Sequence, residues 1–258
     1  MRHPAAQIVA YLKADMEKRS EHVRVGPFLM RFDPDSDNRF RNYALPLDDA
    51  QPTQQEVCAL IAAFKERQRA PRLEFVADLA PAVWPALLAA GFTQEASLQL
   101  MMLGAAGLIR PAETPDFTFE IVTAQADLAD VARVQNDAYG EPLTTPADVM
   151  RLGTLVERGG AVAITRSTRT GEALGAGLYS APWHDITEIA AVGVRAADRR
   201  RGIGSRIVAG LTEHALCRGL HSPFLMAARE DEARVYARVG FVTCARMLHA
   251  MNDAKNTS

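Results

Sequence analysis

The chain has 258 residues, a formal net charge of −2 and 48% hydrophobic residues, which is enough apolar material for one large or two small packed domains. The balanced charge, with one local arginine cluster, excludes the broad basic surface of a general nucleic-acid-binding protein. The longest apolar stretch, Leu98–Ile109, is too short and too interrupted for a membrane span, and the three scattered cysteines suit a reducing compartment. We therefore expect a cytoplasmic protein with no membrane partner and no nucleic-acid partner.

The pattern of apolar residues in the N-terminal part of the sequence predicts alternating helices and strands. Apolar residues at helical spacing predict a helix over Gln7–Met16, and a strand-like run follows at Val23–Phe32. Thr53 and Glu56 have the spacing of a capping box at the start of a second helix. Residues 73–103 then show the order strand, helix, Gly-Phe, strand.

A second set of elements follows a predicted linker at residues 104–115, which contains two prolines and two glycines. A strand is predicted at Phe117–Val122 and a helix at Ala126–Asp137. The next predicted elements are a helix from Val149 and a hairpin that joins Ala161–Thr165 to Ala173–Tyr179.

The most informative stretch joins an apolar strand to a helix through a basic, glycine-containing turn. Ile186–Val194 is rich in β-branched residues and is interrupted by Gly193, which predicts a buried strand with a bulge or a close backbone approach at that glycine. The helix that follows begins at Gly202 and Gly204, where unpaired amides and the helix dipole favour an anion. The predicted anion-binding residues are Arg199, Arg200, Arg201, Gly202, Ile203, Gly204 and Ser205.

The spacing decides which kind of anion site this is. A dinucleotide fingerprint needs Gly or Ala where Ile207 stands, and the Gly-Lys-Ser/Thr of a P-loop is absent. The remaining pattern, Arg199-x-x-Gly202-x-Gly204, resembles the pyrophosphate loop of the GNAT (N-acetyltransferase) superfamily. A second signature of that family, Ala233-x-x-Tyr236-x-x-x-Gly240-Phe241, follows at the usual separation, so the resemblance covers roughly residues 117–250.

The resemblance implies an α/β (α+β) GNAT fold, in which helices flank a mixed, mostly antiparallel sheet. Residues 117–258 would form the catalytic domain. Because residues 73–103 repeat the order of residues 224–251, we expect a degenerate GNAT-like copy without cofactor motifs at residues 1–110, giving two tandem copies.

The resemblance also implies the residues that contact acetyl-CoA, the expected cosubstrate. The backbone of Val192, Gly193 and Val194 would pair with the pantetheine arm, and an amide near Val192 would polarise the thioester carbonyl. Tyr236 would give a proton or a hydrogen bond to the leaving coenzyme A thiolate. Glu230 stands where many members have an asparagine that contacts the same arm, so this chain departs from the pattern there.

The residues expected on the acceptor side are less distinctive. Glu188 stands fourteen residues before Gly202, where some members carry their general base, and His184 or water is the alternative. Tyr139 and Glu141 fall in the region that covers the acceptor site in the family, although an ordinary loop between helices has the same composition. The six histidines make no metal-ligand pattern, so no metal site is predicted.

The sequence thus predicts an N-acetyltransferase that transfers an acetyl group from acetyl-CoA to a primary amine of a small-molecule acceptor by direct attack. The alternative is a non-catalytic module of the same fold that binds or senses acyl-CoA. The residues that would choose the acceptor lie in loops, and the pattern indicates neither one particular amine nor an oligomeric state.

Overall fold

The computed structural model describes residues 3–18, 21–34, 37–123, 125–141 and 143–252. Contacts divide the described residues into two compact units: unit 1 contains those up to Leu100 and those from Cys244 on, and unit 2 contains Met101–Thr243. The C-terminal strand thus belongs to unit 1 from Cys244 on, and the domain division expected from the sequence, at residues 1–110 and 117–258, stays a prediction. In the described part of the chain, no helix has the length and apolar character needed to cross a membrane.

The described residues form helices and strands in the following order. They are α1 (Pro4–Glu17), β1 (His22–Val25), β2 (Phe28–Arg31), β3 (Tyr43–Pro46), α2 (Gln54–Glu66), β4 (Arg72–Val76), α3 (Val83–Ala89), β5 (Thr93–Leu103), β6 (Phe117–Ile121), α4 (Gln125–Tyr139), α5 (Pro146–Glu157), β7 (Ala161–Ser167), β8 (Ala173–Tyr179), β9 (Ile186–Val194), α6 (Ile203–Cys217), β10 (Ser222–Ala227), α7 (Glu230–Ala237) and β11 (Phe241–Met251). Two 3₁₀ turns lie at Ala77–Leu79 and Ala196–Asp198.

Unit 1 is built on a sheet in which β1, β2 and β3 are antiparallel neighbours. β3 pairs in parallel with β4 at Ala44 and Leu73, and β4 pairs antiparallel with the end of β11. The single strand expected at Val23–Phe32 is two strands, because Gly26 turns the chain with φ +52°. β3 is buried along its whole length but was not predicted, since four residues are too few to show a period.

The core of unit 1 lies under α2 and α3. Both helices place apolar side chains against the sheet, and α2 begins with the expected capping box. There the Thr53 hydroxyl accepts from the Glu56 amide at 3.3 Å, while the Glu56 carboxylate accepts from the Thr53 amide at 2.8 Å. The main core side chains are Phe28, Met30, Val57, Leu60, Phe64, Leu73, Phe75, Leu87 and Phe92.

A buried arginine joins three strands of unit 1. The Arg72 guanidinium is fully buried and donates to Glu74 Oε1 at 2.5 Å and to Glu95 Oε2 at 2.7 Å. Its third contact is with His249 Nδ1 at 2.7 Å. Because a guanidinium has only donors, this contact makes Nδ1 an acceptor and places the His249 proton on Nε2. Burial lowers the pKa of His249, so the ring is neutral in the folded protein.

In unit 2, β6, β7, β8 and β9 follow one another as antiparallel neighbours, and β10 adds to β9 in parallel. α6 covers one face of this sheet through Ile203, Ile207 and Leu211. α4 and α5 cover the other face through Leu128, Val131, Leu152 and their neighbours. β9 therefore lies near the middle of the unit, with helices on both sides.

The order of elements repeats within the chain. The run α1, β1, β2, β3, α2, β4, α3, β5 has the same order as α5, β7, β8, β9, α6, β10, α7, β11. In each run the third strand pairs in parallel with the strand that follows the middle helix. The repeat that the sequence suggested for residues 73–103 thus extends over a longer series of elements.

We expect Gly210→Ala to destabilise unit 2. A Cβ at position 210 would lie 2.3 Å from Cζ of the Phe119 ring. This overpacking should cost about 1–3 kcal/mol of unfolding free energy, more than the ~1 kcal/mol gained from alanine's helix propensity. In the matched variant Gly204→Ala, the nearest atom is 3.9 Å away, so the stability should be unchanged or higher. Denaturant unfolding compares the two, and equal midpoints would show that the ring moves aside without cost.

We expect His249 to make the stability depend on pH. Its pKa is lowered in the folded state, so the unfolded chain binds this proton more readily. The unfolding free energy should therefore reach its highest value above pH ~6.5 and decrease as the pH falls below that value. His249→Gln should reduce this slope between pH 7 and 5, whereas His221→Gln, at an exposed position, should leave it unchanged. Denaturant titrations at each pH measure the slope, and an unaltered slope in His249→Gln would contradict the assignment.

Candidate active site

A bulge interrupts β9 where it lies against β8. Gly193 pairs with Ala176 and Ala190 with Leu178, so Ala191–Val192 together face a single residue of β8. The first residue of that pair has φ +50°, a conformation that L-residues adopt at bulges and turns. The irregularity that the sequence indicated at Gly193 thus lies immediately before this glycine.

Side chains of α4 hold the bulge in place. Gln135 Nε2 donates to the Ala191 carbonyl at 3.1 Å, and the Tyr139 hydroxyl donates to the Val192 carbonyl at 3.3 Å. Both carbonyls belong to the segment where the β8 ladder is broken. No role was predicted for Gln135, although a glutamine on the apolar face of a helix is a signal that the sequence contains.

β9 and β10 are paired over only part of their length. The parallel register joins Ile186–Glu188 to Ser222–Phe224 and ends there, while β9 continues to Val194 and β10 to Ala227. The two strands therefore separate beyond Glu188. A strand edge opened in this way leaves room for an extended ligand beside the bulge.

The amino end of α6 is open. Gly202 is the N-cap residue at φ +83°, and no side chain caps the helix. The first intrahelical bond runs from the Arg206 amide to the Gly202 carbonyl at 3.0 Å, so the amides of residues 203–205 precede it. A Cβ at Gly202 would meet no atom within 4 Å. Open space, unpaired amides and the positive end of the helix dipole make this an anion-binding geometry.

The three arginines of the loop have different surroundings. Arg199 donates from Nε to the Val194 carbonyl and from Nη2 to the Ala138 carbonyl, both at 3.3 Å, so it ties the end of β9 to the end of α4. Arg201 pairs with Asp198 at 2.6 Å. Arg200 is exposed, and within the described chain it makes no ion pair. Arg200 is thus open to an anion, Arg201 keeps further donors beside its bond to Asp198, and Arg199 positions the backbone.

Two phenols are electrostatically coupled. Tyr236 on α7 packs against the core of unit 2, and burial raises its pKa well above the ordinary value. The negative charges of Glu232 and of ionised Tyr139 raise it further. The pKa of Tyr139 is raised by desolvation and by the negative charge of Glu232, although 58% of the residue is exposed. Both phenols are therefore neutral near pH 7, and each keeps an O–H that can donate a hydrogen bond.

Glu188 is half-buried in β9 at the point where the β10 pairing ends. Side chains alternate along a strand, so Glu188 shares its face with Ala190, which packs against the α4–α5 core. The carboxylate is therefore on the α4 side of the sheet, the side from which Tyr139 reaches the bulge.

The other residues predicted on the acceptor side are exposed. Glu141 follows the end of α4, and its amide donates to the Asn136 carbonyl at 2.9 Å. His184 lies in the turn between β8 and β9 with φ +55°, its ring edge-to-face with Trp183. In the described ranges, no three His, Cys, Asp or Glu side chains are grouped closely enough to hold a metal ion.

The start of α7 is held by a side chain of its first turn. The helix begins at Glu230 with Arg229 as its N-cap residue. The Glu232 carboxylate accepts from the Ala228 amide at 3.0 Å and from the Arg229 amide at 3.3 Å. The long side chain of Glu232 thus reaches back to the amides that precede the helix. Glu230, at the position of the family's asparagine, is exposed.

Comparisons with known proteins agree with this geometry. Residues 128–241 match the model of the acetyltransferase (GNAT) family. No curated protein matches the sequence significantly.

Solved structures similar to this chain have the GNAT fold. A GCN5-related N-acetyltransferase from Kribbella flavida is 21% identical, with 98% of this chain and 97% of that chain covered and a TM-score of 0.80. One from Sphaerobacter thermophilus is 14% identical over 93% and 84% of the two chains, with a TM-score of 0.69. A tandem GNAT protein of the clavulanic acid biosynthesis pathway is 12% identical over 84% and 76%, with a TM-score of 0.61. At these identities the similarity establishes the fold.

We expect Gly193→Ala to disturb the bulge and weaken coenzyme A binding. The added Cβ would lie 2.8 Å from the Ala138 Cβ and would push α4 away from β9. Calorimetric titration with coenzyme A should show an affinity about tenfold lower, equivalent to ~1.4 kcal/mol. Gly153→Ala on α5, with its nearest neighbour 3.9 Å away, is the control and should bind as the wild type does. Unchanged affinity in Gly193→Ala would mean that the close approach of α4 does not shape the site.

Proposed function

We propose that this chain transfers an acetyl group from acetyl-CoA to a primary amine of a small molecule by direct attack. The match of residues 128–241 to the GNAT acetyltransferase model supports this proposal. The observation that carries the proposal is the open amino end of α6, which directly follows the bulged strand β9. A diphosphate suits the first feature, and an amide-rich arm suits the second.

The cofactor-binding groups would act in two ways. The amides of residues 203–205 would donate to the diphosphate oxygens, and Arg200 and Arg201 would add charge. Arg199 would act indirectly by holding Val194, the last residue of β9, against α4. The free edge of β9 beyond Glu188 would pair with the amides of the pantetheine arm.

The proposed reaction needs three groups around the thioester. Glu188 would accept a proton from the acceptor ammonium, directly or through water, so that the nitrogen lone pair can attack the carbonyl carbon. A backbone amide near Val192 would stabilise the oxyanion, a contact worth about 3 kcal/mol of barrier. Tyr236 would donate a hydrogen bond to the sulfur as the carbon–sulfur bond breaks. Tyr139 and Glu141 would contact the acceptor from the end of α4.

Two features of the site favour a second function. The pKa of Tyr236 is raised, which makes its phenol a weak acid, and Glu230 replaces the family's asparagine. Both features also suit a module that binds or senses acyl-CoA without turnover. The two functions differ in whether thiol is released when an amine is present.

We also propose that the protein works in a reducing compartment such as the cytoplasm. Cys58, Cys217 and Cys244 are all free thiols. Disulfide frameworks are typical of oxidising compartments, and this chain has none among its described residues.

The proposal is tested by release of coenzyme A thiol from acetyl-CoA in the presence of a panel of small primary amines. Tyr236→Phe should lower kcat by about 10- to 100-fold and change the KM for acetyl-CoA little, because the hydroxyl acts mainly on the leaving sulfur. Glu188→Gln should lower kcat at neutral pH, and its residual rate should rise toward the pKa of the free amine, about 10. Glu113→Gln, in the exposed linker, is the control.

Three results would contradict parts of this assignment. Full turnover in Tyr236→Phe would remove the role of the phenol. Saturable coenzyme A binding without thiol release for any amine would favour the sensing module, and the absence of coenzyme A binding would remove both functions.

A further inference from the structure

Unit 1 contains a cavity of about 230 Å³. It lies where β3 and β4 separate after their single parallel contact at Ala44 and Leu73. The chain from Leu45 to Asp49 lines one side and Glu74–Val76 the other, and α1 contributes Val9 and Lys13. Ligands of α/β proteins commonly bind at the carboxyl ends of parallel strands that separate in this way. Drug-sized ligands fill about 300–1,000 Å³, so this cavity suits a smaller molecule.

The cavity has the same topological position in unit 1 as the separation of β9 and β10 in unit 2, but its charge is different. The helix after β3 is α2, and the Glu56 carboxylate occupies the free amide of Thr53 at its amino end. The amino end of α2 thus carries a negative charge, whereas the amino end of α6 has uncapped amides. A diphosphate is therefore disfavoured in unit 1, and the cavity needs a ligand of another class.

The lining combines an apolar wall with a few charges. Leu45, Val76, Leu79 and Met247 provide the apolar surface. Lys13 is nearly buried, with 12% of its side chain exposed, and its ammonium pairs with Asp48 at 2.5 Å, whereas the Asp48 side chain is 91% exposed.

Two further carboxylates complete the lining. Asp49 and Glu74 both line the cavity, so its lining contains three acidic residues and one lysine. Glu74 Oε1 already accepts from Arg72. The described contacts of Lys13 use one of the three donors of its ammonium. A nearly buried ammonium with two unused N–H donors can bind a further hydrogen-bond acceptor, such as a carboxylate.

We propose that this cavity binds a small apolar amino acid as the zwitterion. The α-carboxylate bonds to the spare donors of Lys13, the α-ammonium lies between Asp48 and Asp49, and the side chain fills the apolar wall. A ligand with both charges inserts between Lys13 and Asp48, so that each of these side chains keeps a partner of opposite charge. A carboxylate alone would meet the three acidic side chains, and an amine alone would meet the ammonium.

The site is tested by calorimetric titration of the full chain with L-leucine, 4-methylpentanoate and 3-methylbutylamine. These probes share an apolar body and carry both charges, only the negative charge and only the positive charge. We expect saturable binding of leucine and at least tenfold weaker binding of each singly charged probe. Either singly charged probe binding as tightly as leucine, or no saturable leucine binding, would overturn the proposal.

Two variants locate the binding. Lys13→Met should weaken leucine binding at least tenfold, while Lys65→Met, at an exposed lysine of α2, should leave it unchanged. Val9→Phe should abolish binding by filling the cavity from α1, and an unfolding midpoint near that of the wild type establishes that it is folded. Wild-type affinity in folded Lys13→Met or Val9→Phe would overturn the proposal. None of these measurements uses acetyl transfer, so their failure leaves the proposed function of unit 2 untouched.

Discussion

The structure of the candidate site depends on the carbonyls of Ala191 and Val192, which lie at the bulge where the pairing of β9 with β8 is interrupted. At a bulge, backbone groups lose their strand partners, and a buried carbonyl without a donor costs about 1–3 kcal/mol. Gln135 and Tyr139 supply donors for the carbonyls of Ala191 and Val192, so α4 must lie close to the strand. That closeness leaves no room for a side chain at Gly193. Arg199 extends the same contact to the end of β9, so the bulge and the start of the anion loop are positioned together.

The amino ends of α2 and α6 differ chemically, although both helices follow the third strand of a repeated order of elements. α2 satisfies its first amides with its own side chains, since Thr53 and Glu56 form a reciprocal capping box. Such capping typically stabilises a helix by ~1 kcal/mol. α6 has only Gly202 at the corresponding place and leaves its amides to solvent or to a ligand. The difference of a few residues therefore separates a structural helix end from an anion-binding one, within the same order of strands and helices.

Much of this was predictable because it depends on local sequence. The β-branched run of β9, the glycines before α6 and the capping box of α2 each carry their own signal, and all appear in the structure. Contacts between distant residues were not predictable. Nothing in the residues near Arg199 indicates that its guanidinium binds the carbonyl of Ala138, and nothing near Gln135 indicates its acceptor in β9. The grouping of the chain after Cys244 with unit 1 likewise follows from strand pairing with β4, which no local period encodes.

The raised pKa of Tyr236 narrows the role that its phenol plays in the proposed reaction. A simple thiol has a pKa of about 8.5, so a phenol whose pKa lies well above 10 does not give up its proton to a thiolate at equilibrium. Such a phenol instead remains neutral and donates a hydrogen bond to the developing negative charge, where a charge-assisted bond is stronger than a neutral one. Glu232 reinforces this behaviour, because its negative charge opposes ionisation of Tyr236. The surroundings of Tyr236 therefore favour stabilisation of the leaving sulfur as a thiolate over its full protonation by this phenol.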